Sequence, residues 1–273
     1  MIISDCHSNL SISTEANTIA SAAGIAASLT AKNNGFVSVT NSIVEGYVEA
    51  ISNNYESYAA GVVGMANQQD GNWSDFVPTQ TQNPEESSIL ESTTLYSFDN
   101  CVVDCQLYST GKTKENISCL AAHVSEYVVV GTNYVSSETN IPTSINGVGC
   151  DTYKTRSKLF SKSYLTETVG LDFVSVWVSV FNKPQMRTAT PYIATKIDTD
   201  NKLYAQLVGF DGAELYAAAY VSGTERMVGA LYFPYAVFGY EPQEITFNDV
   251  DYGKIKLFAL GDSLNPLCEC IEI

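Results

Sequence analysis

"SDCHSNLSIS" (residues 4–13), "TNSIVEGYVE" (40–49) and "DNCVVDCQLY" (99–108) align without a gap. Asp5, Asn41 and Asn100 share one column. Cys6, Ser42 and Cys101 share the next, and Ile12, Val48 and Leu107 a third. Each segment is followed by a block of small apolar residues: "SAAGIAAS" (21–28), "SYAAGVVG" (57–64) and "SCLAAHVS" (118–125). Gly24, Gly61 and Ala122 are the matched positions in those blocks, at similar though slightly growing distances past the first column. The second and third copies are further apart than the first and second, and the excess falls in one polar stretch, "NQQDGNWSDFVPTQTQNPEESS" (67–88). Self-similarity of this kind is the mark of a repeat architecture.

Composition says which architecture. The copies are rich in Val, Ile, Ser, Thr, Asn and Gly and poor in the Ala-Leu-Glu-Lys mixture of paired helices. Short strands with polar corners are expected, one turn of chain per copy. The predicted fold is all-β: a right-handed parallel β-helix with a small antiparallel β-sandwich at the C-terminus. Equivalent residues then lie above one another. Asp5, Asn41 and Asn100, with Cys6, Ser42 and Cys101 beside them, are expected to form a structural stack in which side-chain amides bond between copies. The 67–88 stretch is expected to project from one corner as a loop.

These repeats resemble the GLUG-like β-helix regions of bacterial surface proteins of the Firmicutes type. "SYAAGVVGMAN" (57–67) and "TNSIVEGYVEA" (40–50) carry the likeness, and the third copy departs from it at His123 and Val124. "KSYLTETVGLDFVSVWVSVFNKPQMR" (162–187) is similar to the segment that closes such arrays, matching at Gly170, Asp172, Phe173, Trp177 and Pro184. The resemblance implies domain bounds of 1–187 for the helix with its closing segment and 188–273 for the sandwich. It also implies an extracellular or cell-surface setting.

The C-terminal part, from 188 on, reads as strands on its own terms. "KLYAQLVGF", "AELYAAAYV", "RMVGALYF", "QEITF" and "KIKLFAL" are separated by turn signals such as Asp211-Gly212 and Ser222-Gly223. "DYGKIKLFALGDSLNPLCE" (251–269) contains Gly-Asp-Ser-Leu, which resembles the nucleophile block of GDSL esterases and lipases. A serine nucleophile needs an adjacent base, and such enzymes place it where a parallel strand enters a helix. Only ten residues follow Ser263 and none is histidine. The phrase also resembles the strand-to-turn closure of sandwich modules on secreted Firmicutes proteins, which implies a structural Ser263.

Charge narrows the partners. The chain carries 14 Lys and Arg against 30 Asp and Glu, a net of −16. That field repels nucleic acid and anionic membranes. No run approaches the roughly 18 apolar residues of a spanning helix, so no membrane insertion is expected. The opening "MIISDCHSNL" lacks the basic start and apolar run of a signal peptide, so either another route is used or the chain is a processed piece. Seven cysteines cannot all pair within one chain, and neither "CVVDC" nor "CEC" has the spacing of a zinc site. No metal or cofactor is expected, and the cysteines read mostly as buried thiols. "DTDNK" (198–202) opens like a calcium loop but lacks its glycine and closing glutamate, which favours a hairpin turn.

Two functions follow. The first is a non-enzymatic extracellular structural or adhesive protein with no catalytic residue. Its contact with a glycan or surface protein would run through Trp73, Asp75 and Phe76 of the insertion. The alternative is a carbohydrate-active β-helix protein, a glycoside hydrolase or a tailspike-like depolymerase. Glu45, Glu49, Asp99 and Asp104 would supply its acids. The discriminating feature is an acidic pair in an open groove lined with aromatics.

Overall fold

A computed structural model describes all residues except 32–34, 69–94, 125–126, 141–143, 145, 151, 189, 211, 235–240 and 249. The protein is all-β and divides into two compact units, Met1–Leu171 and Asp172–Ile273. The first contains β1 (Ile2–Ser4), β2 (His7–Ala16), β3 (Ala20–Ala23), β4 (Ala26–Ala31), β5 (Phe36–Thr40), β6 (Ile43–Ser52), β7 (Glu56–Ala60) and β8 (Val63–Gln68). It continues with β9 (Leu95–Asp99), β10 (Val102–Gly111), β11 (Lys114–Ser118), β12 (Ala121–Val124), β13 (Tyr127–Val130), β14 (Tyr134–Ser136) and β15 (Thr152–Lys154).

These strands form four parallel sheets, ordered β1-β5-β9-β13, β15-β14-β10-β6-β2, β11-β7-β3 and β12-β8-β4. Through the three copies each strand therefore pairs with the fourth strand before or after it, never with its sequence neighbour. His7, Ile43 and Val102 stand opposite one another, so the pairing register is the one that aligns the copies in sequence.

The corner between the first two strands of each copy fixes that register. Asp5, Asn41 and Asn100 all have left-handed backbone, with φ of 54°, 51° and 53°. Asn and Asp tolerate this conformation better than other side chains because they bond locally. At each corner the backbone N–H reaches the neighbouring copy. Asp5 N donates to Thr40 O at 3.2 Å, Asn41 N to Asp99 O at 3.1 Å, and Asn100 N to Thr132 O at 2.9 Å. The Asn100 amide also donates to Asn41 Oδ1 at 3.3 Å. In the adjoining column Cys6 N donates to the Ser42 hydroxyl at 3.2 Å, and Cys101 N to Asn133 Oδ1 at 3.0 Å.

Between the sheets lies an apolar core. Val48 and Leu107, together with Val44 and Val103, occupy matching inward positions and are buried. Fully burying a side chain of this size contributes about 1.5–3 kcal/mol, so the repeated column is a principal source of stability. Buried and half-buried hydroxyls in this unit bond to each other across copies: Ser57 Oγ to Ser109 Oγ at 2.6 Å, and Ser97 Oγ to Ser38 Oγ at 2.8 Å. Beyond the short β14 a side chain replaces a strand. The Asn140 amide accepts from Leu107 N at 2.8 Å and donates to Leu107 O at 2.7 Å, which satisfies that edge of β10.

One column differs from the sequence alignment. Gly24 N donates to Gly61 O, and Gly61 N to Ser118 O. With Ala60 level with Ser118, Cys119 stands in line with Gly61, and Ala122 falls in line with Gly64 instead. Cys119 lies as far past Asn100 as Gly24 lies past Asp5, so the true spacing is more regular than the alignment implied. A Cβ on Gly61 would lie 2.4 Å from Cys119 O and 2.6 Å from the Val103 side chain. The glycine answers a close approach between copies.

The second unit holds β16 (Trp177–Val180), β17 (Lys183–Met186), β18 (Tyr192–Ile197), β19 (Leu203–Val208), β20 (Glu214–Tyr220), β21 (Met227–Phe233), β22 (Gln243–Ile245), β23 (Lys254–Leu260) and β24 (Ile271–Glu272). Two antiparallel sheets, β18-β19-β22 and β21-β20-β23-β24, share one core. Ile193, Ala205 and Leu207 enter it from the first sheet, and Leu215, Ala217 and Leu257 from the second. The unit boundary falls between Leu171 and Asp172, earlier than the expected 187/188. The reason is local. The Asp172 carboxylate accepts from the N–H groups of Val174 and Ser175, starting a turn into the β16–β17 hairpin. Gln206 of β19 then holds that hairpin, accepting from Phe181 N at 2.7 Å and donating to Ser179 O at 2.8 Å.

The corner file yields a direct test. Asn100→Ala should lower stability to urea by about 1–2 kcal/mol, from left-handed strain and the lost amide bond. Asn100→Gly should cost less, because glycine accepts the same φ. Equal costs would show that the left-handed corner carries no strain.

Candidate functional site

The outward face of the β15-β14-β10-β6-β2 sheet collects most of the chemistry of the first unit. Alternate residues of a strand point to opposite faces. Val44 and Val103 point inward, so Glu45 and Asp104 point outward. They are in register with each other and with Asn9. Stacking thus places two carboxylates on adjacent strands, about 4.8 Å apart along the sheet. Both are nonetheless buried, at 5% and 8% exposure.

One cation resolves the conflict. Arg156 opens a short helix, Arg156–Leu159. Its guanidinium touches Glu45 Oε1 at 3.1 Å and Asp104 Oδ2 at 2.9 Å, with Glu138 at 3.9 Å. His7 Nε2 lies 3.0 Å from Glu45 Oε2. Burial is the largest influence on Asp104 and pushes its carboxyl up. The Ser136 hydrogen bond and the Arg156 charge pull it back, while Glu45 and Glu138 push it up again. Desolvation outweighing a close cation is the expected balance for a buried ion pair.

Further along the same face Tyr47 and Tyr108 meet with ring centroids 5.2 Å apart and planes inclined by 32°. Glu49 accepts from the Ser13 hydroxyl at 2.7 Å. Burial, then the hydrogen bond to Glu49, raises the Tyr47 phenol. Tyr108 is 45% exposed.

The sequence candidates distribute as follows. Glu45 and Asp104 come together. Glu49 lies two outward positions along from Glu45. Asp99 sits at the corner instead, where its carboxylate accepts from Thr132 N at 2.9 Å. Asp5, Asn41, Asn100, Cys6, Ser42 and Cys101 occupy the corner columns described above. The buried Cys101 thiol is pushed up to about 12, chiefly by desolvation. Trp73, Asp75 and Phe76 lie outside the described residues. In "DTDNK" the Asp198 carboxylate accepts from Asp200 N and Lys202 N, both at 2.9 Å, which closes a hairpin turn. Ser263 sits in a single 3-10 turn after an antiparallel strand, with φ of 62°. The turn is closed by Gly261 N to Asn265 O at 2.9 Å and Leu264 N to Gly261 O at 3.1 Å. Nothing in that setting is a strand-to-helix elbow.

Arg156 was not among the sequence candidates. One signal marked it: it is the first arginine in the chain, following a long acidic stretch whose bases are all lysines. Among the described residues no helix is long and apolar enough to cross a membrane. Compared with known proteins, the chain matches no family model, no curated protein and no solved structure.

Chemically, the buried acids face a guanidinium. Two-carboxylate hydrolysis needs an acid and a base, or an acid and a nucleophile, opposed across a sugar. Here both carboxylates serve the same cation, which ties the helix to the sheet. Arg156→Met should therefore destabilise the first unit by about 2 kcal/mol at neutral pH, below the loss for a fully buried pair because Arg156 is partly exposed. The loss should shrink as the pH falls and the acids protonate. Asp104→Asn should behave oppositely. A carboxyl raised above its unfolded value contributes most below that unfolded value and loses its contribution as pH rises through the folded one. The stability difference should move in favour of the Asn variant as pH rises through that window. Urea titrations across roughly pH 3–7, the range that brackets carboxylate titration, measure both.

Proposed function

We propose that the first unit winds as a right-handed parallel β-helix and serves as a stiff, non-enzymatic scaffold at a cell surface or outside the cell, with the second unit as a small β-sandwich attached to it. The carrying observation is the in-register file of Asp5, Asn41 and Asn100 with its copy-to-copy hydrogen bonds. Stacked repeats contact only their neighbours and give rigidity along the stack. Right-handed crossovers are the rule between parallel strands. The salt-bridged state of Glu45 and Asp104 favours this over the carbohydrate-active alternative, because Arg156 already occupies the space between the acids. The charge of −16 favours solubility and a neutral or basic partner.

Contact with a glycan or a surface protein is assigned to the insertion, with Trp73, Asp75 and Phe76 as the contacting residues. Strand β8 runs to Gln68 and pairs with Ala31 there, so the insertion begins after that residue. Deleting 69–88 should weaken attachment to cells or surface extracts about tenfold or more, as for loss of aromatic anchors. It should shift stability by less than about 1 kcal/mol, since loop-closure entropy varies slowly with length. Loss of the folded state on deletion would show that the segment belongs to the repeat core. Attachment of unchanged strength in a folded deletion variant would place the contact elsewhere.

A further inference from the structure

The β21-β20-β23-β24 sheet of the second unit has a face turned away from its core. Leu215, Ala217, Leu257 and Ala259 point into the core. The alternate residues point out. At one level of that outer face three aromatic residues stand side by side on adjacent strands: Tyr232 opposite Tyr216, and Tyr216 opposite Phe258. The Tyr216 and Tyr232 rings stack, with centroids 4.7 Å apart and planes at 28°. Both phenols donate to the same carboxylate. Tyr232 Oη reaches Glu214 Oε1 at 2.5 Å, and Tyr216 Oη reaches Glu214 Oε2 at 3.2 Å. The next level carries Ala230, Ala218 and Lys256, with Ala230 exposed and Ala218 buried between its neighbours. Tyr232 is 49% exposed.

We propose that Tyr232, Tyr216, Phe258 and Glu214 form a binding site for a short stretch of neutral glycan. This rests on and deepens the adhesive part of the proposed function, and adds a contact separate from the 69–88 insertion. Four features select that ligand class. First, the row spans three strands, roughly 10 Å between the outer two, which suits two or three sugar rings laid across it. Second, the row is too small for a protein partner. A stable protein interface covers about 800 Å² on each side, and among the described residues the apolar surface stops within two levels, on one side of the row, at an ion-pair network. In that network Lys254 and Lys256 are shared between Glu225 and Glu272, so those charges are already satisfied within the chain. Third, the Glu214 carboxylate is an acceptor held between two phenols, and sugar hydroxyls are donors. Fourth, that carboxylate and the net charge of −16 oppose a uronic or sulfated sugar.

The tyrosines are also fixed before any ligand arrives. Side chains already held in place lose little rotational freedom on binding. The hydrogen bond to Glu214, with burial second, pushes the Tyr232 phenol up to about 12, so the phenol stays a donor at neutral pH.

The test is calorimetric titration of the full chain with cellohexaose, maltohexaose and mannohexaose, with an oligogalacturonate as the anionic control. At least one neutral hexasaccharide should bind, with a dissociation constant of about 1 mM or tighter, as for a few stacked contacts. Tyr232→Ala should weaken that binding about tenfold or more, as for an aromatic anchor. Tyr232→Phe keeps the ring but loses the bond to Glu214, and should weaken it only about two- to fivefold. Both variants should still unfold cooperatively, with urea midpoints lowered only modestly by the lost stacking and hydrogen bond. The 69–88 deletion should leave this binding intact, which separates failure of this site from failure of the insertion as a contact. No binding of any neutral hexasaccharide to the wild type overturns the proposal. So does binding that Tyr232→Ala leaves unchanged, or a preference for the oligogalacturonate.

Discussion

Everything in the first unit depends on three left-handed corners. At Asp5, Asn41 and Asn100 the chain takes a backbone conformation that costs most side chains about 1–2 kcal/mol. In return the corner N–H points at the neighbouring copy and finds a carbonyl there. Because the corner is the same in each copy, the strand after it begins at the same level. A one-residue slip would turn every inward side chain outward. Val48 and Leu107 meet in the core only because the corners agree.

The same regularity creates the main electrostatic problem. Stacking equivalent positions brings like charges together, and the sequence places Glu45 and Asp104 at one level of one face. An acidic chain with few bases cannot tolerate that on a buried surface without a specific answer. Arg156 supplies it from a helix that follows the last strand of that sheet. The chemistry-bearing cluster of this unit is thus a consequence of its repeats, and it closes around one guanidinium. The second unit handles its charges differently. Lysines and glutamates pair on the surface, and the outer aromatic row is left partly open.

How much of this was legible in the sequence follows from where each constraint leaves a mark. A positive φ selects Asp or Asn, and an inward strand position selects an apolar residue. The columns of Asp5, Asn41, Asn100 and of Ile12, Val48, Leu107 could therefore be read directly. The glycine column could not be carried through. Gly61 is required by the approach of Cys119, while the matching position of the third copy is a cysteine, so residue type pointed to Ala122 instead. Arg156 was marked only as the first arginine after a long acidic stretch, which does not say what it pairs with. Its partner Glu45 is far away in the chain, and nothing local marks such a contact. Ser263 shows the converse: a four-residue phrase suggested an active site, while its left-handed φ of 62° and the antiparallel strand before it belong to a closing turn. The unit boundary was displaced because the β16–β17 hairpin looks like an ending in sequence, yet Gln206 fastens it to the sheet that follows.

The central claim is that equivalent strands of successive copies pair in parallel while sequence neighbours do not. Isotope-edited nuclear Overhauser spectroscopy tests it most directly. Val102 N donates to Ser42 O at 2.8 Å, and Ile43 N to Cys6 O at 2.8 Å. The amide proton of Val102 should therefore show a cross-peak to the α-proton of Ile43, and the amide proton of Ile43 one to the α-proton of His7. Strong cross-peaks between facing α-protons of β5 and β6, or of β9 and β10, would instead mark antiparallel hairpins and contradict the account.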